Sequence, residues 1–337
     1  MHEAMFYTQL ADNRVRCRLC QHFCEISAGR RGLCGVRENQ AGVLRTLVYG
    51  QSISAGIDPI EKKPLFHLQP GSTSFSIATV GCNFTCRHCQ NWQIAQYPRL
   101  HAGTIPGKEL APEAIVRQAL AAGCSSIAYT YTEPTIFFEY AYATARLAHE
   151  AGLKNAFVTN GYTSAEALRT LAPYLDAANV DLKAFSEDFY HRICGAKLQS
   201  VLDTICLYRE LGIWLEVTTL IIPGYNDDEK ELKGIADFIA SVGVEIPWHV
   251  SAFYPTHELL DAPRTSAKIL HRARQIGIEA GLRYVYEGNI PGEGGENTYC
   301  YACDELLVER FGYAIRQNLI DQGCCPFCSA KIDGIGL

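Results

Sequence analysis

The sequence of 337 residues predicts an α/β protein: a partial (β/α)6 barrel of the TIM type with a cysteine-rich N-terminal leader and a small C-terminal zinc ribbon. Three observations support this. Short runs rich in β-branched and aromatic residues alternate with helical stretches between about 74 and 290. Outside that span the alternation is lost. Most of the 15 cysteines fall into three groups, one in each part. We therefore expect three units, at 1–72, 73–290 and 291–337.

The alternation can be assigned segment by segment. Strands are predicted at 74–81, 125–131, 155–161, 177–184, 214–224, 248–255 and 283–290. Helices are predicted at 112–123, 134–152 and 227–243, the first of which has Pro112 near its start and Gly123 at its end. Strands that alternate with helices form a parallel sheet covered by those helices. Six or seven such units favour a partial barrel over a small doubly wound sheet.

Composition limits the partners and the compartment. Apolar residues make up 48% of the chain, the net charge is −6, and no run of Lys or Arg exceeds two. Nucleic acid is therefore not an expected partner. The N-terminus lacks a signal-peptide pattern, and no apolar run approaches the ~18 residues of a membrane span. We expect a cytoplasmic protein without a membrane partner, in which clustered cysteines are metal ligands and not disulfides.

The central cysteine group is Cys82, Cys86 and Cys89, in the segment "TVGCNFTCRHCQN" directly after the first predicted strand. In parallel sheets, the loops that follow the strands form the active-site face. A structural zinc ion takes four ligands, whereas an iron–sulfur cubane on three thiolates keeps one iron open to a ligand. The spacing favours the cubane over a zinc site or a buried core.

The pattern CxxxCxxC after the first barrel strand resembles the signature of the radical S-adenosylmethionine superfamily, with His88 where an aromatic residue is common. "VTNG" and "VDLK" resemble pyruvate formate-lyase activating enzyme, although Val158 stands where that relative has Asp, which puts its type of cation site in doubt. Over nearly the whole chain, "CGVREN", "DPIEKKPLFH", "FVTNGY", "PWHVS" and "EGNIPGEGGENTYC" resemble the AmmeMemoRadiSam-system radical enzymes.

The resemblance implies a 4Fe–4S cluster on Cys82, Cys86 and Cys89 that cleaves S-adenosylmethionine reductively to a 5′-deoxyadenosyl radical. This radical would abstract hydrogen from an unidentified substrate, either a small molecule or, as for activating enzymes, a protein. Flavodoxin or ferredoxin is the expected electron donor. The alternative is a non-catalytic iron–sulfur and zinc protein that transfers electrons or serves as a scaffold.

Five further residues are candidates for the site. Glu133 in "YTYTEPT" matches the contact to the cofactor's amino group, or else caps the following helix. Asn160 either contacts the cofactor or forms a turn. Asp181 and Lys183 alternate along a strand and so face one side, as catalytic groups (Asp181 also as a cofactor ligand) or as a structural ion pair. His249 is either a proton donor or ligand, or a hydrogen-bonded core histidine.

The outer cysteine groups have metal-ligand spacing. The C-terminal set has two CxxC pairs, typical of a zinc ribbon, with Cys324 as a possible substitute for its neighbour: Cys300, Cys303, Cys325 and Cys328. The N-terminal set suits zinc, which we favour, or a second iron–sulfur cluster that would relay electrons to the first: Cys17, Cys20, Cys24 and Cys34. The three isolated cysteines are expected in the buried core: Cys124, Cys194 and Cys206.

Overall fold

A computed structural model describes residues 2–290 and 292–337, and its centre is one eight-stranded sheet. The strands are β1 (Ser54–Pro59), β2 (Thr73–Ala78), β3 (Ser126–Tyr129), β4 (Lys154–Thr159), β5 (Ala177–Asp181), β6 (Trp214–Ile221), β7 (Trp248–Ala252) and β8 (Val285–Gly288). They lie in sequence order across the sheet. β2 to β8 run parallel, and β1 pairs antiparallel with β2.

Helices connect the parallel strands in turn. They are α1 (Pro112–Ala121), α2 (Phe138–Glu150), α3 (Ala165–Leu171), α4 (Leu198–Glu210), α5 (Glu229–Val242) and α6 (Ala267–Glu279). The predicted boundary signals are present: Gly123 has φ +67° just after α1, and Asp228 caps α5 by accepting a hydrogen bond of 2.9 Å from the Glu231 amide.

The predicted α/β class is confirmed, and each of the seven predicted strand segments overlaps one parallel strand. Six strand–helix units are thus followed by a seventh parallel strand. The part of the sheet that the structure describes ends on β1 and β8 without closing into a barrel. The leader explains the open edge, because β1 occupies the side of β2 that a closing strand would need.

The leader is more regular than the sequence indicated. Tyr7–Gln9, Val15–Cys17 and Glu25–Ile26 form one small antiparallel sheet, and His2–Glu3, Arg37–Gln40 and Val43–Thr46 form another. Gln51–Ser52 pairs with Lys108–Glu109. The next strand, β1, belongs to the main sheet, so the first 72 residues are tied to it by backbone hydrogen bonds as well as by packing.

The C-terminal module is a three-stranded antiparallel sheet made of Thr298–Tyr299, Leu306–Phe311 and Ala314–Asn318. It packs on the leader and on the β8 edge through a common apolar cluster that includes Phe66 and Tyr286. The buried Arg310 donates a hydrogen bond of 3.1 Å to the Phe66 carbonyl. The module therefore packs against the leader at Phe66.

Of the three isolated cysteines, Cys124 and Cys194 are buried as expected, whereas Cys206 is exposed, and the prediction for it was wrong. Cys206 lies on α4 with Gln199 and Asp203 on the solvent side, at helical spacing from both. Within residues 2–290 and 292–337, the helices lack the combined length and apolar character that crossing a bilayer requires.

Candidate active site

The three-cysteine loop lies at the carboxyl edge of the parallel sheet, between β2 and the short helix Trp92–Ala95. Gly81 begins this loop with φ +98°, a conformation that favours glycine. Cys82 and Cys86 are each 8% exposed, and Cys89 is partly buried. The Cys82 sulfur accepts a hydrogen bond from the Phe84 amide at 3.4 Å. The thiols are thus sheltered but arranged as potential ligands.

Burial disfavours thiolates in this loop. It raises the pKa of Cys89 to about 12, with Cys86 adding to the rise and Lys183 opposing it. The pKa of Cys86 is raised by its hydrogen bond to Cys194 and by burial. A bound metal centre would supply the positive charge that makes these ligands thiolates.

The spacing of the sulfurs separates two kinds of metal centre. In the described chain, only the four C-terminal cysteines form a group of three or more candidate ligands whose atoms all lie within 4.8 Å. Sulfurs around one tetrahedral zinc ion lie about 3.8 Å apart, given a Zn–S bond of about 2.3 Å. Cys82, Cys86 and Cys89 do not gather in that way. Three cysteines in one loop at the sheet edge are a donor set that suits an iron–sulfur cluster.

Glu133 is fully buried at the end of β3, and protein donors occupy most of its carboxylate. Its Oε1 accepts hydrogen bonds from the Thr135 amide at 2.9 Å and the Thr159 hydroxyl at 2.7 Å. Its Oε2 accepts one from the Asn160 amide at 2.8 Å. Burial raises the pKa of Glu133 despite these bonds. The helix cap that the sequence left as an alternative is present, and one acceptor position remains on Oε2.

Asn160 forms the turn that was one of the two roles left open by the sequence, and it also contacts the cysteine loop. Its Oδ1 accepts a hydrogen bond of 3.0 Å from the Tyr162 amide, which is turn chemistry. Its Nδ2 donates to Asn83 Oδ1 at 2.8 Å and lies 3.9 Å from the Cys82 sulfur. Asn160 therefore links the loop after β4 to the cysteine loop.

Asp181 and Lys183 form the ion pair that was the structural alternative, with Lys183 Nζ 2.9 Å from Asp181 Oδ2. Burial would lower the pKa of Lys183, but Asp181 and nearby thiols raise it well above its usual value. The backbone amide of Lys183 donates a hydrogen bond of 3.0 Å to the Tyr190 hydroxyl. The pair lies at the carboxyl end of β5. There Lys183 lowers the pKa of Cys86 and of Cys89, and Asp181 raises both.

His249 lies near the start of β7 and is 3% exposed. Its Nε2 is 2.6 Å from Glu216 Oε2, and its ring meets the Phe66 ring edge-on with centroids 4.8 Å apart. Glu216 also accepts hydrogen bonds from the backbone amides of Phe66 and His67, at 3.0 and 2.8 Å. These contacts match the core histidine that was the alternative to a catalytic role.

Sequence reasoning missed the residues that brace the loop. Arg99 donates to the Phe84 carbonyl at 3.0 Å and contacts the Cys82 carbonyl at 3.4 Å. The buried Lys63 lies before β2. It contacts Asp58 at 2.7 Å and the hydroxyl of Tyr131, which follows β3, at 3.1 Å. Burial lowers the pKa of Lys63 to about 8. Arg99 carries no spacing signal in the sequence, whereas Asp58 and Lys63 both lie in "DPIEKKPLFH", a segment that carries the family resemblance.

Comparison with known proteins agrees with this geometry. Residues 76–239 match the family profile described as the Radical SAM superfamily. Across 99% of both chains, this protein is 48% identical to an uncharacterised protein of Methanocaldococcus jannaschii. The chain belongs to the radical SAM superfamily. A provisionally named glycyl-radical enzyme activating enzyme of the same organism is 24% identical to this radical SAM protein, over 62% of this chain and 78% of its own.

A solved structure shares the radical SAM fold. It is SuiB of Streptococcus suis bound to its precursor peptide SuiA, with a TM-score of 0.50 and 13% identity. The match covers 69% of this radical SAM chain and 52% of the other. At this identity the likeness concerns the fold alone.

Outside the radical SAM sheet, the C-terminal cysteines converge as the ribbon spacing predicted. Cys300 and Cys328 have sulfurs 3.6 Å apart, and those of Cys303 and Cys325 are 3.7 Å apart. These distances are close to the ~3.8 Å edge expected around a tetrahedral ion. Cys324 pairs instead with Asp321 in a turn and lies outside the group. The four residues could hold one metal ion.

The four N-terminal cysteines are less tightly grouped than the C-terminal four. All four line one cavity: Cys17, Cys20, Cys24 and Cys34. They do not form a group within 4.8 Å, in contrast to the C-terminal four. Cys20 pairs across a backbone bridge with Thr163, so this loop lies beside the turn that carries Asn160.

Proposed function

We propose that this protein is an enzyme that cleaves S-adenosylmethionine reductively at a 4Fe–4S cluster held by Cys82, Cys86 and Cys89. The observation that carries the proposal is a loop of three thiols at the carboxyl edge of a parallel sheet, in a chain of the radical SAM superfamily. When bound, the cluster supplies one electron that breaks a sulfonium C–S bond, giving methionine and a 5′-deoxyadenosyl radical that takes a hydrogen atom from substrate.

The chain orients the ligands of this cluster. The Cys82 sulfur faces two N–H donors, the Phe84 amide at 3.4 Å and Asn160 Nδ2 at 3.9 Å. Both stabilise its thiolate form. Glu133 holds the Asn160 amide in place. We assign the remaining acceptor position of Glu133 to the amino group of S-adenosylmethionine, and Asn160 to the same cofactor site.

The Asp181–Lys183 pair supplies charge beside the cysteine loop. Lys183 offsets the negative charge that Cys86 and Cys89 acquire as thiolates. The Asp181 side chain is 34% exposed, so one part of it is open to a ligand while the other holds Lys183. We propose that Asp181 contacts the cofactor and that both residues position the reacting groups. His249 has no step in this scheme.

The other parts of the proposal follow from the relatives and the cysteine geometry. We propose zinc as the ion of Cys300, Cys303, Cys325 and Cys328, because four thiolates near tetrahedral spacing suit it. The electron donor would be flavodoxin or ferredoxin, in the cytoplasm. The substrate we propose is a protein, supported by the relative named as an activating enzyme.

The reaction is tested by anaerobic reconstitution with iron and sulfide, followed by dithionite and S-adenosylmethionine. We expect 5′-deoxyadenosine and methionine in equal amounts, and none from Cys86→Ala. Cys206→Ser, which changes an exposed cysteine on α4, is the matched control and should retain the activity. A cluster that is reduced and reoxidised without cleaving the cofactor would support the electron-transfer or scaffold alternative instead.

The substrate class is tested with a deuterated cell extract from the source organism. If the substrate is a protein, deuterium enters 5′-deoxyadenosine from the high-molecular-weight fraction, and protease treatment of that fraction abolishes the transfer. Transfer from the low-molecular-weight fraction would show a small-molecule substrate.

A further inference from the structure

Tyr131, in the loop after β3, has a backbone conformation that aromatic residues rarely adopt. Its φ is +67°, in the left-handed region that favours glycine. Such a conformation is costly and persists only where the surrounding contacts hold it. Tyr131 lies two residues before Glu133, so the contacts that hold Tyr131 also bear on the candidate cofactor site.

The side chain of Tyr131 is held at its hydroxyl by two charged residues of the leader. The hydroxyl donates a hydrogen bond to Asp58 Oδ2 and accepts one of 3.1 Å from Lys63 Nζ. Lys63 Nζ also lies 2.7 Å from Asp58 Oδ2 and 4.4 Å from the centre of the Tyr131 ring. The Lys63 side chain is 1% exposed and that of Asp58 is 11% exposed. These are charge-assisted hydrogen bonds away from bulk water, which makes them stronger than bonds between neutral groups.

The two leader residues remain charged in this setting. Burial would raise the pKa of Asp58, but hydrogen bonds from its neighbours, Lys62 and Lys63 first, hold it well below its usual range. Burial lowers the pKa of Lys63 to about 8, although its contact with Asp58 opposes that fall. At neutral pH the Tyr131 hydroxyl therefore lies between a carboxylate and an ammonium group.

The backbone at Tyr131 contacts the other parts of the candidate site. Its carbonyl accepts a hydrogen bond of 2.9 Å from Nδ2 of Asn91, the last residue of the segment that carries the three cysteines. The next residue, Thr132, donates its hydroxyl to the Thr79 carbonyl at 2.9 Å, directly after β2. Glu133 follows. A shift of Tyr131 would therefore displace the end of the cysteine loop and the Glu133 carboxylate together.

We propose that Asp58 and Lys63 are positioning residues for the cofactor site and act through the hydroxyl of Tyr131. They hold Tyr131 in the left-handed conformation in which its carbonyl binds Asn91 and in which Glu133 keeps its place two residues later. The inference rests on the proposed function, because it concerns the affinity of that same site for S-adenosylmethionine. It adds the leader to the parts of the chain that build the site.

Tyr131→Phe tests the inference, because it removes the hydroxyl and keeps the ring. The full-length protein is reconstituted anaerobically, and iron per chain is measured. The Kd for radiolabelled S-adenosylmethionine is then measured by equilibrium dialysis without a reductant, so that the cofactor is not cleaved. We expect unchanged iron and a Kd raised about tenfold, from the loss of one charge-assisted hydrogen bond. Tyr129→Phe is the matched control, since it removes a buried hydroxyl that donates to Asn155 at 3.0 Å, and its Kd should not change.

Asp58→Asn tests whether the carboxylate acts through the same hydroxyl. Combined with Tyr131→Phe, it should leave the rise in Kd at about tenfold instead of about hundredfold, because either change breaks the same link. In the protein without S-adenosylmethionine, amide hydrogen exchange around residues 91 and 131–135 should be faster in Tyr131→Phe than in Tyr129→Phe. If Asp58→Asn does not fold, Tyr131→Phe and its control decide.

Two results overturn the inference. One is a Kd for Tyr131→Phe within about twofold of that of the unmodified protein. The other is an equal rise in Tyr129→Phe, which would indicate a general loss of packing. Failure of the unmodified protein to bind S-adenosylmethionine is a different result, because it refutes the proposed function and this inference with it.

Discussion

The carboxylate of Glu216 is predicted to hold the leader over the sheet, and Glu216→Gln tests this. Glu216 is fully buried, and its oxygens accept four hydrogen bonds, from the Phe66 and His67 amides, the Trp214 indole and His249. A glutamine of the same shape can accept at only one of the two atoms. The NH2 group of the glutamine is itself a donor, so the N–H groups that faced the replaced oxygen lose their acceptor.

The cost follows from these contacts. In either orientation the glutamine NH2 replaces an oxygen that accepted a backbone amide, Phe66 at Oε2 or His67 at Oε1, and that amide is left without a partner. A buried orphaned donor costs about 1–3 kcal/mol, and the two bonds at the remaining oxygen each lose about 1 kcal/mol with the charge. We expect Glu216→Gln to lower the free energy of unfolding by about 3–5 kcal/mol.

The assay is urea unfolding of the anaerobically loaded protein, followed by circular dichroism. Glu210→Gln is the matched control, since that carboxylate pairs with Arg169 at the surface and should contribute about 0–1 kcal/mol. Burial raises the pKa of Glu216, but the His249 hydrogen bond and charge lower it below 4.5 overall. Its stabilisation is therefore present above pH 4.5 and lost as the pH falls through the folded-state pKa. A Glu216→Gln effect no larger than the control's would refute the reasoning.

Three further predictions concern the metal sites. Cys325→Ser should abolish zinc binding, whereas Cys324→Ser should retain about one zinc per chain by elemental analysis, because only the former sulfur lies in the ribbon group. Gly81→Ala should reduce iron content at least about twofold, since its Cβ would contact Val36 and Cys34 closely; Gly224→Ala, with the same left-handed backbone but open space, should not. Lys183→Gln should slow 5′-deoxyadenosine formation about tenfold as judged by chromatography, and an unchanged rate would remove Lys183 from the site.

Much of the fold was predictable because local patterns specify it. Helix boundaries at Gly123 and Asp228 follow from backbone conformation and capping, which depend on neighbouring residues. Each predicted strand overlaps an observed one for the same reason. The antiparallel β1 was not predicted, since its pairing with β2 depends on a partner that only the folded chain brings alongside. The exposure of Cys206 was likewise decided by the face of α4 that packs.

The sequence by itself determined which residues can carry metal chemistry, since the chemistry of a cysteine ligand and its spacing along a loop are local properties. Only the tertiary structure decided how the ligands lie relative to each other. It placed Cys325, and not Cys324, in the C-terminal group. It also made Glu133 a helix cap with one acceptor position left over, and it buried His249 against Glu216. It also gathered the four C-terminal cysteines within 4.8 Å of one another, because distances between sulfurs depend on how distant segments pack.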